Sequence, residues 1–223
     1  MGFILNLETA TTNCSVSLAK DGKVVAIREN NTPNYSHAEQ LHVFIEECLV
    51  EAGIKPTNLD AVAVSKGPGS YTGLRIGVSA AKGLCFALNI PLVSIATLKS
   101  MASQVKENYD LIIPVLDARR MEVYSVILDT NLNELRPTEA EVVDENSFLS
   151  YYENTKVHIL GSGAEKIKNL LTHHNLSFNT ECVPSSKEMA VLSFEKYKIK
   201  DVEDVAYFEP YYLKEFMLQT KKK

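Results

Sequence analysis

Ser65 to Gly77, SKGPGSYTGLRIG, decides how this chain is read. It stands between a short apolar run, Asp60 to Ser65 (DAVAVS), and a helix of small residues that reaches about Leu88. Four glycines, one proline and four hydroxyl side chains in thirteen residues pose a choice between a nucleotide loop, a catalytic loop and a packing device. A Walker A loop puts Lys and then Ser or Thr at the helix start, where the lysine reaches the β and γ phosphates. Here Lys66 precedes the glycines. A dinucleotide fingerprint needs G-x-G-x-x-G, whereas Gly67, Gly69 and Gly73 are spaced G-x-G-x-x-x-G. What remains is a tight turn at Gly67-Pro68-Gly69, then Ser70 or Thr72 as N-cap, then a helix start whose free amides suit an anion. A plain capped turn accounts for the same residues.

Within the helix, Gly73, Gly77 and Ala81 recur every fourth residue, with Ala80 and Leu84 adjoining, so one face carries almost no side chain. Interior glycine costs about 0.5–1 kcal/mol relative to alanine, so close packing is expected to offset it. The partner is either internal or another subunit. Arg75, Ser79 and Lys82 form one polar stripe, either solvated or facing an acidic partner helix.

Outward from this stretch, Phe3 to Leu7, Cys14 to Ala19 and Lys23 to Arg28 read as three strands, the last two joined by an Asp21-Gly22 hairpin turn. A helix follows, in which Leu41, Phe44, Ile45, Cys48, Leu49 and Ala52 recur at helical spacing, with Ser36 and Glu39 as a capping box and Gly53 as the stop. Ile90 to Ile95 is a strand leading to a helix near Leu98 to Lys106, so the first half reads βββαβαβ. The second half repeats the order. Strands are expected at LIIPVLDA, MEVYSVILD, Glu141 to Val143, VHIL and Phe178 to Val183, with helices near Asn146 to Glu153 and Ala164 to His173. A last helix spans about Ser186 to Lys198, and FEPYYLKEF follows it. The expected class is α/β, two actin-like (ribonuclease H-like) lobes over residues 1–105 and 106–223, with the final helix and tail packing back on the first. In that fold a nucleotide sits between the lobes.

Composition suits a folded, non-membrane chain. Hydrophobic residues make up 45% and charged ones 23% of 223 residues. No stretch approaches the roughly 20 apolar residues of a membrane span, and no basic segment precedes FILNL. Cys14, Cys48, Cys85 and Cys182 are scattered in apolar runs, which fits a reducing cytoplasmic setting. A net charge of −5 argues against a face that grips nucleic acid unaided, and Lys221-Lys222-Lys223 reads as a solvated basic end.

Three turns are candidates for a nucleotide cleft. Glu8-Thr9-Ala10-Thr11-Thr12 follows the first strand, where kinases of this fold place an acid and a phosphate turn, but a hydroxyl-rich β-turn explains it equally well. Asp117-Ala118-Arg119-Arg120 sits where the second phosphate turn would fall, or is an ion pair across a hairpin. Gly161-Ser162-Gly163 matches the adenosine-side turn only weakly. A metal has no evident ligand set: His37 and His42 are i, i+5, about 140° apart around a helix, and His173 and His174 are adjacent. No G-x-S-x-G elbow is present either.

ILNLETATTNCSVSL, SHAEQL, SKGPGSYTGLRIGVSAAKGLCFALNIPLVSIATL, IIPVLDARRMEVYSVIL and the terminal EPYYLKE together resemble the TsaB family of bacterial tRNA threonylcarbamoyladenosine biosynthesis proteins. The likeness is dense over residues 3–128 and thinner beyond. It implies a noncatalytic two-lobe subunit without cofactor or metal, pairing with its paralogue TsaD and the ATPase TsaE. Together they attach a threonylcarbamoyl group to the adenosine beside the anticodon of ANN-decoding tRNAs. TsaD's His-x-x-x-His metal pair is missing here. The dimerisation face implied by the family falls on about His37 to Glu51 and Thr72 to Leu88, making His37, Leu41, Phe44, Ile45, Gly73, Arg75, Gly77, Ala80, Ala81 and Leu84 the interface candidates. Gly67, Pro68, Gly69, Ser70, Tyr71 and Thr72 form the family turn. Glu8, Thr9, Thr11, Asp117, Arg119, Gly161 and Gly163 mark a residual nucleotide cleft, although Glu8 stands where many members have aspartate and Met121 where glycine is frequent. For the chain alone, homodimer and monomer both stay open, and tRNA contact is expected only through the complex. The competing expectations are a sugar-kinase-like phosphotransferase using Glu8 or Asp117 with magnesium, and a zinc metallopeptidase.

Overall fold

The computed structural model describes residues 2–33 and 36–214. The tail lysines 221–223 lie outside the described residues. Among the described residues, ten strands form two five-stranded sheets. In the first sheet, β1 (Phe3–Glu8), β2 (Asn13–Lys20) and β3 (Lys23–Asn31) form an antiparallel meander, while β4 (Ala61–Gly67) and β5 (Leu92–Ala96) add in parallel on the other side of β1, giving the order β3-β2-β1-β4-β5. In the second, β6 (Leu111–Asp117), β7 (Glu122–Asp129) and β8 (Glu134–Val142) repeat the meander, and β9 (Val157–Leu160) and β10 (Leu176–Asn179) repeat the parallel pair. The order β10-β9-β6-β7-β8 is the same arrangement with corresponding strands. Each sheet is thus an actin-like βββαβαβ unit.

Local sequence accounts for the well-formed elements. Asp21 and Gly22 both take positive φ (50° and 76°) in the β2–β3 turn, as the hairpin type requires. Helix α1 (His37–Glu51) ends where Gly53 adopts φ +66°: Gly53 N donates to the Val50 carbonyl and Ile54 N to the Leu49 carbonyl, a Schellman closure. Its start differs from the expected capping box. The Ser36 side chain makes no cap hydrogen bond, and the Ser36 carbonyl instead accepts from Glu39 N and Gln40 N. Helix α2 (Tyr71–Leu88) is capped by Ser70, whose Oγ accepts from Gly73 N at 3.2 Å, and closes on left-handed Asn89.

α1 and α2 cover one face of the first sheet, burying Leu5, Leu7, Val16 and Leu18 of the strands beneath Leu41, Cys48, Val78 and Ala81. The other face takes α3 (Thr97–Ala102) and α6 (Ser186–Lys198), the latter arriving from beyond the second sheet. The alternation in β2 explains the division: Cys14, Val16 and Leu18 belong to the apolar core, while Ser15 and Ser17 face α6. Ser15 Oγ lies 2.6 Å from Ser186 Oγ, Ser17 Oγ donates to the Ser186 carbonyl (2.8 Å), and Ser193 Oγ donates to Asn6 Oδ1 (2.7 Å). All these side chains are buried, so each bond removes a desolvation cost of about 1–3 kcal/mol per unpaired group.

The second sheet departs most from expectation. β8 runs from Glu134, well before the expected Glu141, through a polar stretch containing Pro137. As an edge strand it tolerates a missing amide and polar residues on its exposed side. It is held by Arg136, half-buried, whose Nη2 donates to Glu141 Oε1 at 2.5 Å and whose guanidinium lies over the Phe148 ring. The helices after β8 and β9 are single turns, α4 (Leu149–Tyr152) and α5 (Ala164–Lys168). No helix among the described residues is long and apolar enough to cross a membrane.

Candidate functional site

The glycine-rich stretch is consumed inside the chain. Gly69 lies so close to the β1–β2 turn that an added Cβ would sit 2.4 Å from the Ala10 carbonyl oxygen. At Gly73 the same atom would meet the Thr9 carbonyl at 2.1 Å, and at Gly77 it would meet Thr9 Oγ1 at 2.3 Å. Thr9 Oγ1 donates to the Gly73 carbonyl (2.8 Å) and Ser70 N donates to the Ala10 carbonyl (2.7 Å). The bare face of α2 therefore receives the first turn of its own lobe. This corrects the expectation that Gly73, Gly77 and Ala81 are offered to another subunit. Ala81 is fully buried in the first core, as are Leu41 and, nearly so, Ile45 and Ala80. His37 is also internal: its Nε2–H donates to the Thr11 carbonyl at 2.7 Å, and burial pushes its pKa down. Of the ten interface candidates, Arg75 is exposed, and Phe44 and Leu84 are half-buried.

The rest of the family turn grips the C-terminal segment. Gly67, at φ +108°, leaves room for the Tyr211 carbonyl, and Tyr211 N donates to the Lys66 carbonyl (2.7 Å). Tyr71 packs its ring 4.9 Å from Tyr212, with the Arg75 guanidinium over Tyr71 at 4.4 Å. Lys82 Nζ donates to the carbonyls of Ala206 (3.1 Å) and Phe208 (3.0 Å). The polar stripe of α2 is thus engaged within the chain at Arg75 and Lys82. Pro68 is buried, and Thr72 is exposed at the head of the helix.

The outward surface of α1 and α2 is different from the one expected. Phe86 is 84% exposed, Val50 73% and Val43 49%. Beside Phe86, Ser79, Gly83 and Ala87 are exposed at every fourth position, and nothing lies within 4 Å of where a Gly83 Cβ would be. A periodicity of 3.6 puts Phe86 two and a half turns from Gly77, on the opposite side of the helix. That spacing was available in the sequence and locates the outward face. Arg28 of β3 pairs with Glu47 (2.8 Å) and Glu51 (2.5 Å), holding the outer acids of α1 against the sheet.

The cleft candidates spend much of their polarity within the chain. Glu8 is fully buried; its Oε1 accepts from Ala10 N (2.6 Å) and Ser65 Oγ (2.8 Å), and burial drives its pKa up to about 7. The Ala10 amide and the Thr9 hydroxyl, the donors a phosphate would need, are already used. Thr11 contributes its carbonyl to His37. In the second lobe Asp117 Oδ1 accepts from Arg119 N and from Lys166 Nζ, both at 2.6 Å, making the acid part of an internal ion pair. Gly161 (φ +112°) and Gly163 let the β9–α5 turn approach the end of β6 and the start of β7, where Cβ atoms would stand 2.2 Å from the Val115 carbonyl and 3.0 Å from Val123. Two cavities, of about 440 and 410 Å³, flank Gln104, and none of the seven cleft candidates lines either. Among the described residues, no group of three or more His, Cys, Asp or Glu side chains could hold a metal ion.

Residues 32–220 match the model of the family described as TsaD, tRNA N6-adenosine threonylcarbamoyltransferase. The chain belongs to the TsaD/TsaB family. It is similar to the tRNA threonylcarbamoyladenosine biosynthesis protein TsaB of Haemophilus influenzae, 27% identical over 222 residues that cover 95% of this chain and 93% of that one. The Escherichia coli TsaB is 37% identical over 123 residues, 54% of this chain and 52% of that protein. In structure, a Pseudomonas aeruginosa protein described by its similarity to peptidase YeaZ superposes with a TM-score of 0.86 at 22% identity, covering 96% of this chain and all of that one. That last likeness establishes the fold.

Proposed function

We propose that this chain is a noncatalytic pairing subunit in the N6-threonylcarbamoylation of the adenosine beside the anticodon in ANN-decoding tRNAs. It joins a TsaD-type transferase through the outward face of α1 and α2, with the ATPase TsaE as a third component, in the cytoplasm. One contrast carries this reading: the phosphate-turn donors at Thr9 and Ala10 are spent on the protein itself, while Val43, Val50 and Phe86 stand exposed on the paired helices. An exposed aromatic beside a shallow stripe of small residues is the composition of an interface anchor and its seat. The net charge of −5 supports tRNA contact through the complex instead of by this chain.

The same face supports self-association when the transferase is absent. The phosphotransferase alternative loses ground because the first turn spends its Thr9 hydroxyl and Ala10 amide within the chain. Phe86→Asp places a charge on the anchor without touching the core. It is expected to leave the melting transition unchanged and to weaken pairing with the transferase by about a hundredfold, read by size-exclusion chromatography and calorimetry. Unchanged affinity would remove α2 from the proposed interface.

A further inference from the structure

Residues 203–214 connect both sheets in a short span of chain. Glu203 N donates to the Leu92 carbonyl (2.8 Å) at the edge of the first sheet, and Lys82 then takes the Ala206 and Phe208 carbonyls. Tyr211 and Tyr212 close on Lys66, Gly67 and Tyr71 at the glycine-rich turn. Two residues later the chain is on the second sheet. Lys214 Nζ donates to the Ala118 carbonyl (3.3 Å) and pairs with Glu122, and it lies 5.8 Å from the Tyr124 ring centroid. Only Leu213 separates the last anchor on the first lobe from the first anchor on the second. That is at most about 7 Å of extended chain, so the two turns cannot move apart without one anchor letting go.

We infer that residues 203–214 form a latch that fixes the setting of the two lobes and ties the head of α2 to the β6–β7 turn. Its anchors open and close together. Each side-chain contact is individually weak, since the Lys214–Glu122 pair is one-third exposed on both partners and the Tyr71–Tyr212 contact is a single tilted ring pair. Cooperation follows from the tether: while Tyr212 is seated, Lys214 is held at high effective concentration beside Glu122, and the reverse is equally true. Releasing the latch uncovers Tyr71 and the Lys66–Gly67 backbone at the start of the helix that carries the outward face. The inference stands whether or not the chain pairs with a transferase.

Hydrogen exchange on the full chain tests it, comparing the native protein with Tyr212→Ala and with Lys214→Met. Either variant is expected to raise exchange by about tenfold in both segments 66–76 and 117–124, with protection across β1, β2 and α6 unchanged and Lys214→Arg restoring the native pattern. A rise confined to the segment whose own contact was removed would overturn the latch. So would no rise in either.

Discussion

The helices that follow the third and fourth strands run for 15 and 18 residues on the first sheet, but for 4 and 5 residues on the second. The two sheets have the same strand order, so the contrast lies in what each is asked to carry. On the first sheet the long helices bury one face against the core and leave an apolar outer face at Val43, Val50 and Phe86. On the second sheet single turns suffice to close the core around Ile113, Val123, Ile159 and Ile167. Both lobes use glycine for one purpose, bringing a helix or turn directly onto the end of the first strand of the sheet: Gly69, Gly73 and Gly77 over Thr9 and Ala10, and Gly161 and Gly163 over Val115 and Leu116. The glycines are therefore the shared architecture, and the long helices are what distinguishes the first lobe.

The largest effects should come from breaking that shared device. Gly73→Ala drives a Cβ into the Thr9 carbonyl and Gly161→Ala drives one into the Val115 carbonyl from a left-handed backbone, so each is expected to cost about 4 kcal/mol in denaturant unfolding or to prevent folding. If only one of the two is damaging, the lobes do not share the device.

The buried acid comes next, because only the first lobe has one under its turn. Burial raises Glu8 from 4.5 to about 7, so the folded state keeps its proton after the unfolded chain has lost it. Stability is complete below pH 4.5 and declines as pH rises through about 7, by on the order of 3 kcal/mol. Glu8→Gln is expected to flatten that decline in a pH series of urea melts. A wild-type profile already flat over this range would show that the carboxyl is not buried as described.

Smaller effects sharpen the difference within α2. Ser70→Ala removes the N-cap bond to Gly73 and should cost about 1 kcal/mol by thermal melting. At Gly83 a Cβ meets open space, so Gly83→Ala should gain about 0.5–1 kcal/mol, opposite in sign to Gly73→Ala on the same helix. Equal signs would erase the distinction between the inner and outer glycines.

Much of this was legible from residue patterns. α6 covers Ser186–Lys198 and the Asp21-Gly22 hairpin, the Ser70 cap and the end of α2 at Leu88 all follow local chemistry that tertiary contacts reinforce. β8 ahead of Glu141 was not legible, because an edge strand with Pro137 and interspersed acids has neither apolar periodicity nor a need for it. α5 stops at Lys168, short of the expected His173, since the periodic residues past it serve a turn whose Asn175 N bonds His173 Nδ1. The site was half legible. Glycine every fourth residue announces that something comes close but carries no information on what, and here the visitor is Thr9. The Tyr71–Tyr212 contact joins residues far apart in sequence and has no local signature.

The central claim is that the chain supports a transferase without performing the transfer. Threonylcarbamoyl incorporation into an ANN-decoding tRNA, measured with the TsaD-type transferase, TsaE and a source of threonylcarbamoyl-adenylate, with and without this chain, tests it most directly. The account predicts incorporation only when the chain is present, none from the chain alone, and loss of the stimulation with Phe86→Asp. Full incorporation in its absence would contradict it.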